Sequence, residues 1–286
     1  MTLEQLKVFL AVAEREHMTA AAQAMNMTQS AVSSAIAALE GRHGVKLFHR
    51  VGRGICLTEA GRLFAVEARA VLARADAAEQ ALASLSGLHY GTLKIVASQT
   101  IAGYWLPAVL AAFRGRYPRI AVEVLVGNTE QAAQHVLDGR VDLGIVEGQV
   151  NEPALASWPV GEDRLVLVQN TATTETIDAL WLSKARWVMR ESGSGTRSSL
   201  DRALMQQGVV PESLDISLVL PSNESVRTAV EAGGGVAALS FFVVEHALKA
   251  GRLHALPYNL GVRPFYGLRH KERYRSAAAE ALLKML

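Results

Sequence analysis

Apolar residues recur at helical spacing at the start of the chain and predict a first helix. One residue in every three or four is apolar, so these side chains form a single buried stripe. They are Leu3, Leu6, Leu10 and Ala13. A short alanine-rich segment, "TAAAQAM", follows, and Thr19 is the residue that we expect to cap it. The first 25 residues therefore predict two helices in close succession.

A third helix is predicted from the segment "TQSAVSSAIAALE", with Thr28 as its N-cap. Its core-facing residues are Val32, Ile36 and Leu39, at spacings of four and three. The opposite side carries small and polar residues: Gln29, Ser30, Ser33, Ser34 and Ala37. Two short helices joined by a tight turn, the second displaying small polar groups, are typical of a helix-turn-helix. The second helix of that motif lies in the DNA major groove, and Gln29 suits a two-bond contact to adenine. Ordinary packing of an Ala/Ser-rich helix is the alternative interpretation.

The next segment, "HGVKLFHRVGRGICLTEAG", favours the DNA-binding interpretation. A glycine-bounded turn, "GRG", joins two short apolar strands. The basic residues of the segment include Lys46, Arg50 and Arg53. A basic hairpin directly after a helix-turn-helix is typical of a wing that contacts phosphates or the minor groove.

Residues from "LTEAG" to about Ser86 predict one long helix with a heptad repeat of apolar positions. One row is Phe64, Val71, Ala78 and Leu85, and the other is Ala68, Ala75 and Leu82. Three heptads in one register favour pairing with a second copy of the helix, and the alanines allow close approach. Packing against the chain's own body is the alternative. The segment "SGLHYGT" is expected to end the helix and lead into the next domain.

From Gly91 onward, apolar strands alternate with amphipathic helices. The first alternation is βαβαβ, which predicts a parallel sheet with right-handed crossovers. A second alternation follows, after which residues 262–270 and a last helix return to the first subdomain. The expected fold class is α/β, with residues 88–286 forming two lobes. We define lobe I as about 91–161 and 264–286 and lobe II as about 162–263. The expected domains before them are 1–58, a winged helix-turn-helix, and 59–87, a linker and dimerisation helix.

Hydroxyl groups at strand ends are the candidate ligand contacts of the two-lobed part. In open α/β sheets, ligands lie beyond the carboxyl ends of the strands, where helix N-termini expose N–H groups. The candidates in lobe I are Ser98, Gln99, Thr100 and Glu147, and those in lobe II are Ser194, Gly195 and Thr196. Such groups suit a small anion, for example a carboxylate, a sulfur oxyanion or a phosphate ester. Plain N-capping is the alternative for each segment.

Composition removes several classes of protein. The 286 residues are 50% apolar, yet no window approaches the ~18 uninterrupted apolar residues that a membrane helix needs. The acidic amphipathic start is unlike an export signal. Cys56 is the single cysteine, which excludes an internal disulfide and any site with several thiolate ligands. We therefore expect a cytoplasmic protein with no membrane partner, no metal and no cofactor. The net charge of +2 says little, but residues 28–62 hold five Lys/Arg against two Glu.

Other functions are less compatible with the sequence. The chain lacks the Gly-x-Ser-x-Gly, Gly-x-Gly-x-x-Gly and His-Glu-x-x-His motifs, so we expect no enzyme. A thiol peroxide sensor needs two cysteines in the ligand-binding part, which has none. The remaining alternative is a two-lobed solute-binding or small-molecule-processing protein with an appended helical module.

Residues 1–86 resemble the DNA-binding region of LysR-type transcriptional regulators. The resemblance rests on "LEQLKVFLAVAE", "TAAAQAMNMTQSAVSSAIAALEGRHGVKLFHR" and "LTEAG", and it continues to the C-terminus. It implies a winged helix-turn-helix, a linker helix and a two-lobed effector domain similar to periplasmic binding proteins. Within the family, the chain is similar to the subgroup that controls sulfur assimilation or carbon fixation.

The resemblance also implies roles for residues and partners. The DNA contacts would be Thr28, Gln29, Ser30 and Ser33, with Arg50 and Arg53 on the wing. Many relatives carry Arg at the position of Ser34 and a basic residue at that of Ala37, so more of the electrostatic attraction falls to Lys46, Arg50 and Arg53. The implied partners are an inverted-repeat operator in double-stranded DNA, a small anionic effector, further copies of the chain in a homodimer or homotetramer, and RNA polymerase.

Overall fold

The structure is a computed structural model that describes residues 1–52, 54–85 and 91–286. Arg53 and most of the predicted hinge lie outside the described residues. The chain divides into two compact units, residues 1–82 with 138–140 and residues 83–137 with 141–286. We call them the N-terminal unit and the effector unit.

The N-terminal unit contains the three predicted helices, the hairpin and the long helix. The elements are α1 (Leu3–Arg15), α2 (Met18–Ala24), α3 (Gln29–His43), β1 (Phe48–Val51), β2 (Gly54–Leu57) and α4 (Glu59–Leu85). The hairpin strands pair antiparallel, with Arg50 opposite Ile55. Thr28 is the N-cap of α3, as predicted, but His17 rather than Thr19 caps α2, because the His17 Nδ1 accepts a hydrogen bond from the Ala20 N–H at 3.3 Å.

One apolar core joins these elements. The predicted core residues of α3 (Val32, Ile36 and Leu39) are all buried in it. The Phe9 ring packs against the rings of Phe48 and Phe64 at centroid distances of 5.4 and 4.8 Å. Ala68 is buried in the same core. Phe64 and Ala68, the first positions of the two predicted heptad rows, therefore pack against the chain's own N-terminal unit rather than against a second copy.

The effector unit is built on a six-stranded mixed sheet. Its strands are β3 (Gly91–Ser98), β4 (Ile120–Gly127), β5 (Leu143–Glu147), β6 (Leu155–Gln169), β9 (Ala237–Ser240) and β10 (His254–His270). They lie in the order β4-β3-β5-β10-β6-β9. The predicted parallel pairing holds for β3 with β4 and with β5, whereas β10 and β6 run antiparallel to their neighbours.

Strands β6 and β10 connect the two lobes. They pair with each other from Leu155–His270 at one end to Gln169–His254 at the other. In lobe I, β10 also pairs with β5, and in lobe II, β6 also pairs with β9. Lobe II has in addition the parallel pair β7 (Arg186–Arg190) and β8 (Asp215–Leu220). The chain therefore passes between the lobes along both β6 and β10. Only part of each of these two strands was predicted from the sequence.

Helices cover both lobes. They are a π-helical turn at Ile101–Trp105, α5 (Leu106–Arg116), α6 (Thr129–Asp138), α7 (Ala179–Lys184), α8 (Gly195–Gln206), a 3₁₀ turn at Pro211–Ser213, α9 (Asn223–Glu231), α10 (Phe241–Lys249) and α11 (Ala277–Leu283). The last helix buries Leu282 in the same cluster as Leu93 and Phe265, so the chain does return to lobe I. In the part of the chain that the structure describes, we find no helix with the length and apolar character needed to cross a membrane.

Candidate DNA-binding surface and effector cleft

The N-terminal turn of α3 presents a polar surface on a well-anchored helix. The Thr28 Oγ1 accepts a hydrogen bond from the Ala31 N–H at 3.2 Å and lies 3.0 Å from the Ser30 Oγ. The Gln29 Nε2 donates to the Ser33 Oγ at 3.3 Å. Thr28, Gln29, Ser30 and Ser34 are exposed, and Ser33 is half-buried. The structure thus places the predicted α3 contacts on one polar surface, with Gln29 already oriented by Ser33.

The hairpin adds basic groups to the same unit. Arg50 is exposed on β1, next to exposed His49. Lys46 has an exposed side chain whose Nζ lies 2.6 Å from the Oε2 of buried Glu40. Lys46 is therefore paired within the protein, whereas Arg53 lies outside the described residues. Among the predicted wing residues that the structure describes, Arg50 is exposed and accessible to a DNA phosphate.

In lobe I, the residues after β3 face the start of α9 in lobe II. The Asn223 Nδ2 donates to the Thr100 Oγ1 at 3.0 Å, and the Asn223 N–H donates to the Gln99 Oε1 at 3.2 Å. The Gln99 Nε2 donates to the Pro221 carbonyl at 3.0 Å. Ser98 is also buried, and its Oγ has no hydrogen-bond partner among the described residues. This predicted segment thus lies between the lobes and leaves one hydroxyl unused.

The second predicted segment, at the start of α8, packs against the end of β5. A Cβ built on Gly195 would lie 2.2 Å from the Glu147 carbonyl oxygen, so only glycine allows this approach. Ser194 is the buried N-cap residue, although its side chain makes no capping bond. The Thr196 Oγ1 accepts from the Arg263 Nη1 at 2.9 Å. Residues 194–196 therefore face Glu147 and Arg263, whereas the other predicted segment, 98–100, faces α9.

A buried ionic cluster lies beside these hydroxyls. The Arg263 Nη2 is 2.5 Å from the Asp163 Oδ2 and 4.0 Å from the Glu147 Oε1, and all three side chains are buried. The Arg263 Nε and the Glu147 Oε1 have no hydrogen-bond partner within the described ranges. Because buried charged groups are normally paired and hydrogen-bonded, these two atoms mark an incomplete polar site.

A second buried arginine links the lobes. The Arg190 Nε and Nη2 donate to the Glu191 carboxylate at 2.7 and 2.9 Å, and its Nη1 donates to the Asn223 Oδ1. The Asn128 Nδ2 of lobe I donates to the same carboxylate at 3.3 Å. Burial raises the pKa of Glu191, but the Arg190 hydrogen bonds and charge outweigh it, so that the pKa lies below its ordinary value. Hydrogen bonds therefore run from Thr100 through lobe II and back to Asn128.

Sequence reasoning missed six residues of this cleft: Asn128, Asp163, Arg190, Glu191, Asn223 and Arg263. A signal existed for Arg190 and Arg263, because "RWVMR" and "VRPFY" place these arginines next to apolar strand residues. A charge at such a position needs a buried partner. Asn223 gives no such signal, since it reads as an ordinary residue in the first turn of a helix.

A winged helix-turn-helix followed by a two-lobed α/β unit with a polar cleft defines a DNA-binding protein with a sensor domain. The chain belongs to the LysR family of transcriptional regulators. Residues 3–62 match the bacterial regulatory helix-turn-helix protein, lysR family, and residues 86–286 match the LysR substrate binding domain. The predicted family and fold class are confirmed, and the family comprises regulators rather than enzymes.

Individual relatives support the assignment over nearly the whole chain. The chain is 37% identical to the uncharacterized HTH-type transcriptional regulator YeiE of Escherichia coli (strain K12), covering 99% of this chain and 96% of the relative. It is 34% identical to a probable RuBisCO transcriptional regulator of Cyanophora paradoxa, covering 88% and 80%. In fold, it is similar to full-length CbnR complexed with its target DNA (TM-score 0.71, 20% identity, covering 100% and 98%). It is also similar to the Synechocystis PCC6803 CcmR regulatory domain in complex with 2-PG (TM-score 0.59, 26% identity, covering 68% and 94%).

Proposed function

We propose that this LysR-family regulator binds an inverted-repeat operator as a homodimer, or as a tetramer built from two dimers, and responds to a small anionic metabolite held between lobes I and II. The proposal divides the chain into residues 1–58 for DNA binding, 59–87 for dimerisation and 88–286 for effector binding, and it assigns the protein to the cytoplasm. The observation that carries the effector part is the set of buried polar atoms without partners in the described cleft: the Ser98 Oγ, the Glu147 Oε1 and the Arg263 Nε.

Several features of the cleft favour an anion. The N-termini of α8 and α9 both lie at the boundary of the lobes, against Glu147 and Thr100, and helix N-termini carry partial positive charge. The Ser98 hydroxyl and the Arg263 Nε can each donate one further hydrogen bond. The CcmR regulatory domain, which is similar in fold, is in complex with 2-PG, and this supports our proposal that the effector unit binds a small ligand.

The acidic residues of the cleft narrow the chemistry of the ligand. Glu147 and Asp163 together exceed the charge of Arg263, so a fully deprotonated anion would meet repulsion. A ligand that also carries a hydrogen-bond donor would instead satisfy the Glu147 Oε1. Phosphate keeps a proton near pH 7 and sulfate does not, although the two ions have similar shapes. We therefore expect the cleft to bind phosphate more tightly than sulfate. A site built to accept a hydrogen bond discriminates strongly against an analogue that lacks the donor.

Replacing Ser98 by alanine is expected to weaken effector binding by roughly 10- to 100-fold, because one hydrogen bond to a charged group is lost. The folded protein should keep its melting temperature, because the Ser98 Oγ has no partner among the described residues. Calorimetry and thermal shift on the full chain would use sulfate, sulfite, phosphate, O-acetylserine and phosphoenolpyruvate as probes. Thr100→Val and Ser194→Ala would test two more of the predicted hydroxyls, and Ser213→Ala, on an exposed turn, is the control. A probe that binds all three cleft variants as tightly as wild type would move the effector site elsewhere.

Replacing Gln29 by alanine is expected to weaken operator binding by ~1–3 kcal/mol while leaving non-specific affinity unchanged. Gln29 is exposed and oriented by Ser33, so it is suited to read a base edge. Footprinting of intergenic DNA beside the gene would define the operator. Fluorescence anisotropy would then compare operator and unrelated duplexes. Equal operator discrimination by wild type and Gln29→Ala would contradict the proposed docking of α3.

Exposed apolar strand residues of the effector unit support our proposal of assembly beyond the dimer. Strand β4 is an edge strand and exposes Val124, Leu125 and Val126, and β8 exposes Leu218 and Val219. Proteins normally cover such apolar edges. We propose that these strands are covered by other copies of the chain in a tetramer. An effector that favours one arrangement of the effector units by ~1–3 kcal/mol would then alter the spacing of the DNA-binding units and the contacts they offer RNA polymerase.

A further inference from the structure

Glu40 is a buried carboxylate in the penultimate turn of α3, and DNA contact does not explain it. The residue is 8% exposed. Its Oε1 accepts hydrogen bonds from the N–H groups of Leu47 and Phe48 at 2.9 and 3.3 Å, and its Oε2 accepts from the Lys46 Nζ at 2.6 Å. All three donors belong to the residues that lead into β1. One side chain of α3 therefore fixes the point where the wing begins.

The same residues are held from the other side by the start of α4. The Thr58 N–H donates to the Leu47 carbonyl at 3.0 Å, and the Thr58 Oγ1 donates to the Lys46 carbonyl at 2.8 Å. A Cβ on Gly61 would lie 2.1 Å from the Leu47 carbonyl oxygen, so α4 passes very close to this segment. Residues 46–48 are thus held between α3 and the start of α4. On the α3 side, the Glu40 carboxylate accepts the three hydrogen bonds from Lys46, Leu47 and Phe48.

Glu40 is suited to this role as a charged group. Burial raises its pKa, but the hydrogen bonds from Lys46, Leu47 and Phe48 outweigh burial, so that the pKa lies below its ordinary value of 4.5. The carboxylate is therefore ionised at neutral pH and makes charge-assisted bonds, which are stronger than bonds between neutral groups.

We propose that Glu40 is a positioning residue for DNA recognition, because it fixes the wing relative to α3. Arg50 lies two residues beyond Phe48 on β1, so its reach toward a phosphate depends on the anchoring of Phe48. With the anchor intact, Arg50 and the N-terminal turn of α3 contact the same duplex together. Lys46 then serves as the counter-ion of Glu40 rather than as a phosphate contact. This inference rests on the proposed DNA-binding surface.

The test measures the salt dependence of binding to a short DNA duplex of mixed sequence, using the full chain. The logarithm of the binding constant falls with the logarithm of salt concentration by about 0.9 per phosphate contact. Arg50→Ala should reduce that slope by about 0.9 for each wing that touches DNA. Glu40→Gln should produce the same reduction although it removes no basic group. Glu4→Gln, which removes an exposed carboxylate of the same unit, should leave the slope unchanged.

A double-mutant cycle separates positioning from a general loss of stability. Adding Arg50→Ala to Glu40→Gln should cause no further change in slope, because the displaced wing no longer makes the contact. Additive reductions, or a Glu40→Gln slope equal to wild type, would overturn the inference. No change for Arg50→Ala alone would instead contradict the proposed DNA surface. Circular dichroism would check folding. If Glu40→Gln does not fold, Glu40→Asp replaces it in the cycle under the same criteria, since it keeps the charge and shortens the reach.

Discussion

Replacing Arg263 by methionine is expected to destabilise the effector unit by about 3–5 kcal/mol. Arg263 is the cation that faces buried Asp163 at 2.5 Å and buried Glu147 at 4.0 Å, and it also donates to Thr196. Methionine fills a similar volume but leaves two carboxylates without a counter-charge in a region that excludes water. Removing one partner of a buried ion pair costs far more than removing a surface charge. Urea unfolding of the full chain, followed by circular dichroism, would measure the loss.

Two further variants show whether the loss has this cause. Arg202→Met removes an exposed arginine on α8 and should change stability by less than about 0.5 kcal/mol. Adding Asp163→Leu to Arg263→Met removes one of the orphaned carboxylates and should recover part of the lost stability. If Arg263→Met costs no more than Arg202→Met, then Arg263 does not hold the buried carboxylates as described.

The N-terminal unit could be predicted in detail because its signals are local. The core stripe of α3, its N-cap Thr28 and the glycine-bounded hairpin each depend on residues within a few positions of one another. The one wrong cap, Thr19, shows the limit of such reasoning. Histidine is an uncommon N-cap, yet the His17 Nδ1 accepts the Ala20 N–H. A preference among residue types cannot show which of two neighbouring side chains turns toward the helix end.

The effector cleft could be predicted in outline only, because its contacts join residues far apart in the chain. Strand ends indicated where Ser98, Thr100 and Thr196 would lie. Asn223, however, contacts Thr100 across 123 positions of sequence, and Arg263 contacts Thr196 across 67. Periodicity carries no information about such pairs. Gly195 stays a predicted ligand contact, and its close approach to the Glu147 carbonyl could not be predicted from local sequence.

The heptad pattern of α4 illustrates a different limit. An apolar stripe shows that a helix face is covered, but it does not say by what. Phe64 and Ala68 are covered by the N-terminal unit itself. Farther along the helix, Val71 is 41% and Leu82 is 71% exposed. Exposed apolar side chains in the heptad rows are suited to a second copy of α4, so we propose that one helix packs internally at its start and pairs farther along.

Replacing both Val71 and Leu82 by aspartate is therefore expected to convert the proposed dimer of segment 1–90 to a monomer. Four carboxylates would lie in an apolar seam between two helices, where burial of unpaired charge is strongly unfavourable. Operator affinity of the segment should then fall by roughly 10²- to 10⁴-fold, because the second half-site no longer binds within the same particle. Sedimentation velocity of the segment and anisotropy on the operator would measure the two effects.

Lysine at the same two positions separates assembly from repulsion by DNA. Val71→Lys with Leu82→Lys should dissociate segment 1–90 as the aspartates do, since burial of either charge is unfavourable. Its added positive charges, however, attract DNA phosphates rather than repel them. If both double variants lose operator affinity, the loss comes from the disrupted pairing of α4 and not from repulsion between the new charges and DNA. Association of the full chain through its effector units would hide the effect, so segment 1–90 gives the decisive measurement. If the aspartate or the lysine variant of the segment is still a dimer, Val71 and Leu82 do not belong to the dimer interface.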